Sequence, residues 1–158
     1  MAKGTFFEHG DRLLTAAAFA FVLDAELKRC GRAQQFLTLV EIRATADKDR
    51  ADIAVDTLIP DLCTLVIPEL RDTDLLGHTG CGTLAVALLE SDYEPSLRVI
   101  DRLVRRVESL LPPSAVRIAI GAATYPAHAV NAAALAREAL SRPVAAGQQG
   151  TARTNETN

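Results

Sequence analysis

The chain has 158 residues, 49% hydrophobic and 23% charged, and its 17 Lys+Arg against 20 Asp+Glu give a formal net charge of -3. This is ordinary composition for a single globular domain with a core large enough to need no staples, and the charge balance offers no electrostatic case for DNA, RNA or an anionic membrane. Cys30, Cys63 and Cys81 are odd in number and include no Cys-x-x-Cys pair, which supports neither a disulfide framework nor a zinc site and leaves reduced cytoplasmic thiols as the expectation.

The longest apolar run, Leu13 to Leu23, is too short to span a bilayer. Glu8 and Asp11 precede it in place of a basic leader, so neither a signal peptide nor a membrane helix is expected. Residues 1–10 read as a lead, 11–147 as one domain and 148–158, rich in Gly, Gln, Thr and Asn, as a flexible tail. No sensory module is expected upstream of Asp11.

Asp11 is a suitable N-cap for a first amphipathic helix bearing Leu13, Leu14, Phe19, Val22, Leu23 and Leu27. Lys28 and Arg29 suit its last turn, and Gly31 its C′ position. Phe36 to Ile42 has the β-branched and aromatic content of a buried strand. After the polar Thr45–Asp52 stretch, Ile53, Leu58, Ile59, Leu62, Leu65, Val66 and Leu70 recur at helical spacing. Pro60 must kink that helix or lie near a break, and Pro68 interrupts it again near its end.

A hairpin follows, with strands near Asp74–Thr79 and Thr83–Leu89 and a turn, Thr79 to Gly82, in which glycine accepts positive φ. Leu97, Ile100, Leu103, Val104, Val107 and Leu111 form one face of a helix that ends before Pro112-Pro113, with Arg98, Arg102 and Arg105 on another face. Ala115 to Thr124 reads as a strand, and Ala133 to Leu140 as a last helix before Pro143. The core order is βαββαβ, an α+β ferredoxin-like unit with extra N- and C-terminal helices.

That order alone names no function. The residues carry more. Asp11-x-Leu13-Leu14-Thr15 with Phe19, the strand Ile118-Ala119-Ile120-Gly121-Ala122-Ala123, and the spacing of Ala136, Ala139, Leu140 and Gly147 together resemble the GGDEF (diguanylate cyclase) family from about Asp11 to Gly147. The resemblance implies the nucleotide-cyclase type of α/β sandwich, with the hairpin tip as the place of the family's signature.

The departures fall where the family does its chemistry. Gly80-Cys81-Gly82-Thr83-Leu84 replaces Gly-Gly-Asp/Glu-Glu-Phe, so Gly82 stands where a metal-binding carboxylate is expected. Glu41 and Arg43 occupy the places of the family's Asp-x-Asp, and its guanine-holding segment is not recognisable in Thr45–Asp52. Mg²⁺ on a triphosphate needs hard oxygen ligands, and a glutamate beside an arginine does not supply them. The expectation is a degenerate domain without cyclase activity, with no catalytic residue, no metal site and no cofactor.

Arg71-Asp72-Thr73-Asp74 stands where the family has the Arg-x-x-Asp of its product-binding inhibitory site, and Arg102 falls where it often has a second arginine. The implied ligand is cyclic di-GMP. Arginine can donate in parallel to guanine O6 and N7, and a carboxylate at Asp74 can accept from N1–H and the exocyclic amine. The expected role is a cyclic di-GMP receptor or signalling adaptor that relays to a protein partner.

Blander readings stand beside this one. Arg71 may be read as a helix cap paired with Asp74, and Arg102 as part of a solvated face. The alternative function is a pseudo-enzyme for protein interaction or homodimerisation that binds no nucleotide, with Leu75, Leu76, Cys81 and Leu84 as an apolar contact surface. His78 and Cys81 lie three apart, without the second pair of ligands a metal site needs. Glu41 is expected to pair with Arg43 or Lys48.

Overall fold

The computed structural model describes residues 6–9, 12–47, 49, 54–110 and 116–144. Asp11, Lys48, Pro112, Pro113, Gly147 and the tail 148–158 lie outside the described residues, and with them the cap, pairing, helix-stop and tail expectations placed there.

The elements are β1 (Phe7–His9), β2 (Leu13–Leu14), α1 (Ala16–Ala33), β3 (Leu37–Ala46), α2 (Ile59–Val66), β4 (Leu75–Gly80), β5 (Thr83–Leu89), α3 (Tyr93–Leu110), β6 (Val116–Tyr125) and α4 (Ala132–Leu140). Short 3-10 turns, Val55–Leu58 and Ile67–Glu69, flank α2. The six strands form one sheet in the order β1-β2-β4-β5-β3-β6. Strands β3 to β6 reproduce the expected βαββαβ core and pair with one another antiparallel throughout. The parallel pairing of β2 with β4 makes the sheet mixed.

The alternation of side chains along β3 and β5 explains the two layers. Val40, Ile42, Leu84, Val86 and Leu88 face α2 and α3, which supply Leu62, Val66, Ile100, Leu103 and Val107. Leu37, Leu39, Ala85, Ala87 and Leu89 face α1 and α4, which supply Phe19, Leu23, Leu27, Leu135 and Ala139. Both faces of the central strands are therefore buried.

Two local expectations are corrected. Leu13 and Leu14 are not helical: they pair with Leu76 and Gly77 as a short strand, and α1 begins after Thr15, whose Oγ1 accepts from Ala18 N at 3.2 Å. Gly31 lies inside α1, which ends instead at Gln34 in the left-handed region (φ 55°). Of the two places open to Pro60, a kink or a break, the second holds: it sits in the first turn of α2, just after the 3-10 turn, where a missing amide costs no helical hydrogen bond.

Candidate functional site

The Arg-x-x-Asp segment closes the foot of the hairpin. Asp74 is buried, and its carboxylate accepts from the Arg71 backbone N at 3.0 Å, Arg71 Nε at 3.4 Å, Arg71 Nη2 at 3.2 Å and Leu89 N at 3.1 Å. Arg71 Nη2 also donates to Leu89 O. The Arg71 side chain stays 58% exposed, so its guanidinium is anchored along the Nε–Nη2 edge while Nη1 has no partner among the described residues. The carboxylate oxygens of Asp74 are thus taken up in holding Arg71 and the end of β5.

Arg102 does not touch Arg71 or Asp74. It donates from Nε to Glu69 Oε1 at 2.8 Å, while Arg106 Nε donates to Glu69 Oε2 at 2.5 Å. The Arg102 contact, then burial acting in opposition, then Arg106 set the Glu69 carboxyl, with a net shift below the ordinary range. Glu69 lies two residues before Arg71, so α3 is tied to the approach to the Arg-x-x-Asp turn. From the other side Arg12 Nη2 donates to Arg71 O at 3.3 Å. Arg12, Arg102 and Arg106 therefore all donate to atoms of the segment 69–71, to which Arg71 itself belongs. Arg12 and Arg106 carry no motif signal; only the periodic face of α3 offers a hint of Arg106, one turn beyond Arg102.

At the tip, Gly80 pairs with Thr83 across Cys81 and Gly82. Gly82 has φ +63°, and a Cβ there would lie 2.6 Å from Ala44 O and 2.7 Å from Val55 Cγ2. Its N donates to Asp56 Oδ1 at 2.6 Å and its O accepts from Ala44 N at 2.8 Å. Thr83 Oγ1 donates to Cys81 O at 3.1 Å. The tip is stitched to β3 and to the 3-10 turn before α2, and only glycine fits that approach.

His78 and Cys81 do not form a pair. His78 Nδ1 contacts Glu8 Oε1 and its Nε2 contacts Asp56 Oδ1 at 3.1 Å, while the Cys81 thiol is exposed. Leu76 and Leu84 are core residues, 1% and 0% exposed, and so do not form the expected contact surface around the tip. Apolar side chains are buried there because β4 and β5 lie beneath α2 and α3.

Glu41 is not at a strand end, since β3 continues to Ala46. It is buried between Ala85 and Gly121 and makes no hydrogen bond or ion pair among the described residues, so the expected pairing with Arg43 is not formed. Burial pushes its carboxyl up to about 7, with Arg43 pulling weakly the other way. Glu41 and Arg43 line a cavity of about 110 Å³ with Ala119, Ile120, Gly121, Leu140 and Pro143. Gly121 lets the end of α4 come close, because a Cβ there would lie 1.9 Å from Ala139 O.

Among the described residues no helix is long and apolar enough to cross a membrane. No family model matches the chain, and no curated protein does. Solved structures do. The GGDEF domain of PA1120 (TpbB or YfiN) from Pseudomonas aeruginosa is 26% identical, with a TM-score of 0.67 over 80% of each chain. The GGDEF domain of DgcB from Caulobacter crescentus, solved in complex with c-di-GMP, is 15% identical with a TM-score of 0.70 over 94% of this chain and 89% of that one. The diguanylate cyclase SiaD of Pseudomonas aeruginosa, solved with its activator SiaC, is 18% identical with a TM-score of 0.61 over 84% of this chain and 57% of that one. The α+β sandwich built by this sequence is thus the fold of the GGDEF domains.

Proposed function

We propose that the chain is a degenerate, catalytically inactive GGDEF-like domain that acts in the cytoplasm as a cyclic di-GMP receptor and passes the signal to a protein partner. The observation that carries this reading is that Arg12, Arg102 and Arg106 all bond to the short segment 69–71, which carries Arg71 with its guanidinium half exposed. A doubly phosphorylated, guanine-bearing ligand suits such a cluster, because guanidinium groups donate to phosphate and to guanine O6 and N7 and stack on purine faces. Arg71 is the base-contacting residue in this account, Asp74 positions it, and Arg102 releases Glu69 to meet phosphate. DgcB, which has the same fold, was solved with c-di-GMP, and SiaD with an activator protein, which makes both kinds of partner reasonable for this chain.

Inactivity is supported by the donor set. A divalent cation needs several hard oxygens, whereas the family's metal positions here hold a Glu41 carboxyl driven toward its neutral form, the Arg43 cation and Gly82. These residues do not fit the metal. Incubation with GTP and Mg²⁺ is expected to yield no cyclic dinucleotide. Cyclic di-GMP is expected to raise the melting temperature in a dose-dependent way, and GTP is not; turnover, or no shift with the cyclic dinucleotide, overturns the reading.

A second reading, an interaction or dimerisation module without nucleotide, is favoured by Phe21, 73% exposed on the outer face of α1 beside exposed Ala17 and Ala20. It predicts no thermal response and a mass that rises with protein concentration.

A further inference from the structure

We propose that His78 is a proton-operated clasp joining the N-terminal edge strand to the hairpin tip. The imidazole lies between two carboxylates, with Glu8 of β1 on Nδ1 and Asp56 of the 3-10 turn on Nε2. Ionised carboxylates only accept hydrogen bonds, so both contacts are satisfied together only when both ring nitrogens carry hydrogen, that is, in the imidazolium. A neutral ring has a single N–H. Its other nitrogen then turns a lone pair toward a carboxylate oxygen, and one arm of the clasp opens.

Each arm holds something else. Asp56 also accepts from Gly82 N, and this backbone contact, opposed by burial and helped by His78, keeps its carboxyl below the ordinary range. Glu8 belongs to a three-residue strand whose ladder partner among the described residues is the two-residue β2. Loss of the Glu8 arm therefore leaves β1 held by that pairing, by the packing of Phe7 against the core and by the neighbouring Thr15 N to Phe6 O bond.

Among the described residues, Glu8 and Asp56 are the charged groups that act on His78. Cross-strand it faces Leu84, and β2 contributes Leu13 and Leu14. On α2 the buried Cys63 thiol, which burial and then Glu8 push up to about 11, stays neutral. The ring itself is mostly covered, which by itself lowers the pKa of His78, yet the hydrogen bonds to Glu8 and Asp56 outweigh this and raise it above 6.5. The clasp is therefore closed below about 6.5 and opens as pH rises through the pKa of folded His78.

NMR titration of the full ¹⁵N-labelled chain tests this. His78 is expected to be protonated on both ring nitrogens and to titrate above 6.5, and Glu8→Gln and Asp56→Asn are each expected to lower that pKa. Amide protection of Phe7–His9 and of Gly82 is expected to fall across the same transition in the parent protein, and His78→Gln is expected to show no such step. Titration of His78 at or below 6.5, or pKa values unmoved by both carboxylate variants, overturns the clasp. So does an unchanged loss of protection in His78→Gln.

Discussion

The carboxylate of Asp74 grips Arg71 at three points, the backbone N at 3.0 Å, Nε at 3.4 Å and Nη2 at 3.2 Å, while it also accepts from Leu89 N. A short-range pair thereby fixes the end of a strand fifteen residues away. Any ligand that meets Arg71 meets a guanidinium whose rotamer is already fixed, which reduces the ordering cost of binding.

Removing that carboxylate leaves several inward-facing donors without an acceptor. Asp74→Ala is expected to cost about 2–4 kcal/mol, far more than an exposed ion pair. Denaturant unfolding of the two proteins checks this, and Asp74→Asn is expected to fall between them.

Glu41 makes the opposite kind of contribution. Its carboxyl titrates at about 7 in the fold against 4.5 as the ordinary value. Since the folded pKa is raised, the associated stability is fully present below about 4.5 and is lost as pH rises through about 7. Glu41→Gln removes this loss, so at pH 8 it is expected to be more stable than the parent by about 2–3 kcal/mol, with the advantage shrinking toward pH 4.5. Paired unfolding curves across that range decide it.

Gly82 is fixed both by its φ of +63° and by Ala44 O and Val55, which occupy the space a side chain needs. Gly82→Ala is expected to cost about 1–3 kcal/mol. For the same reason Gly82→Glu is expected to lose stability without acquiring diguanylate cyclase activity, which unfolding curves and a GTP turnover assay measure together.

Arg102 separates structural from ligand roles. Glu69 keeps Arg106 when Arg102 is removed, so Arg102→Ala is expected to change stability by less than ~1 kcal/mol. Its effect on cyclic di-GMP affinity is expected to be large. A variant that binds as tightly as the parent removes Arg102 from the site.

Much of the fold was legible. The hairpin, α3, β6 and α4 announce themselves because their periodic runs are long and are bounded by Gly or Pro. Strands β1 and β2 do not, since two or three residues carry no period, and Leu13 and Leu14 continue the apolar face of the helix that follows. Thr15 is the cap because pairing with Leu76 and Gly77 draws Leu13 and Leu14 into the sheet. In the candidate site, the adjacency of Arg71 and Asp74 could be read from their spacing, but the inward aim of Asp74 depends on Leu89. Arg12, Arg106 and the bond from Gly82 to Asp56 arise from tertiary placement and leave no local pattern.

Calorimetric titration with cyclic di-GMP, run on the parent protein, Arg71→Ala and the solvent-exposed Arg98→Ala from the same basic helix face, tests the central claim most directly. Saturable binding by the parent and by Arg98→Ala, lost in a folded Arg71→Ala, is the predicted result. No heat from the parent well above micromolar ligand, or binding unaffected by Arg71→Ala, contradicts a receptor built on this arginine cluster.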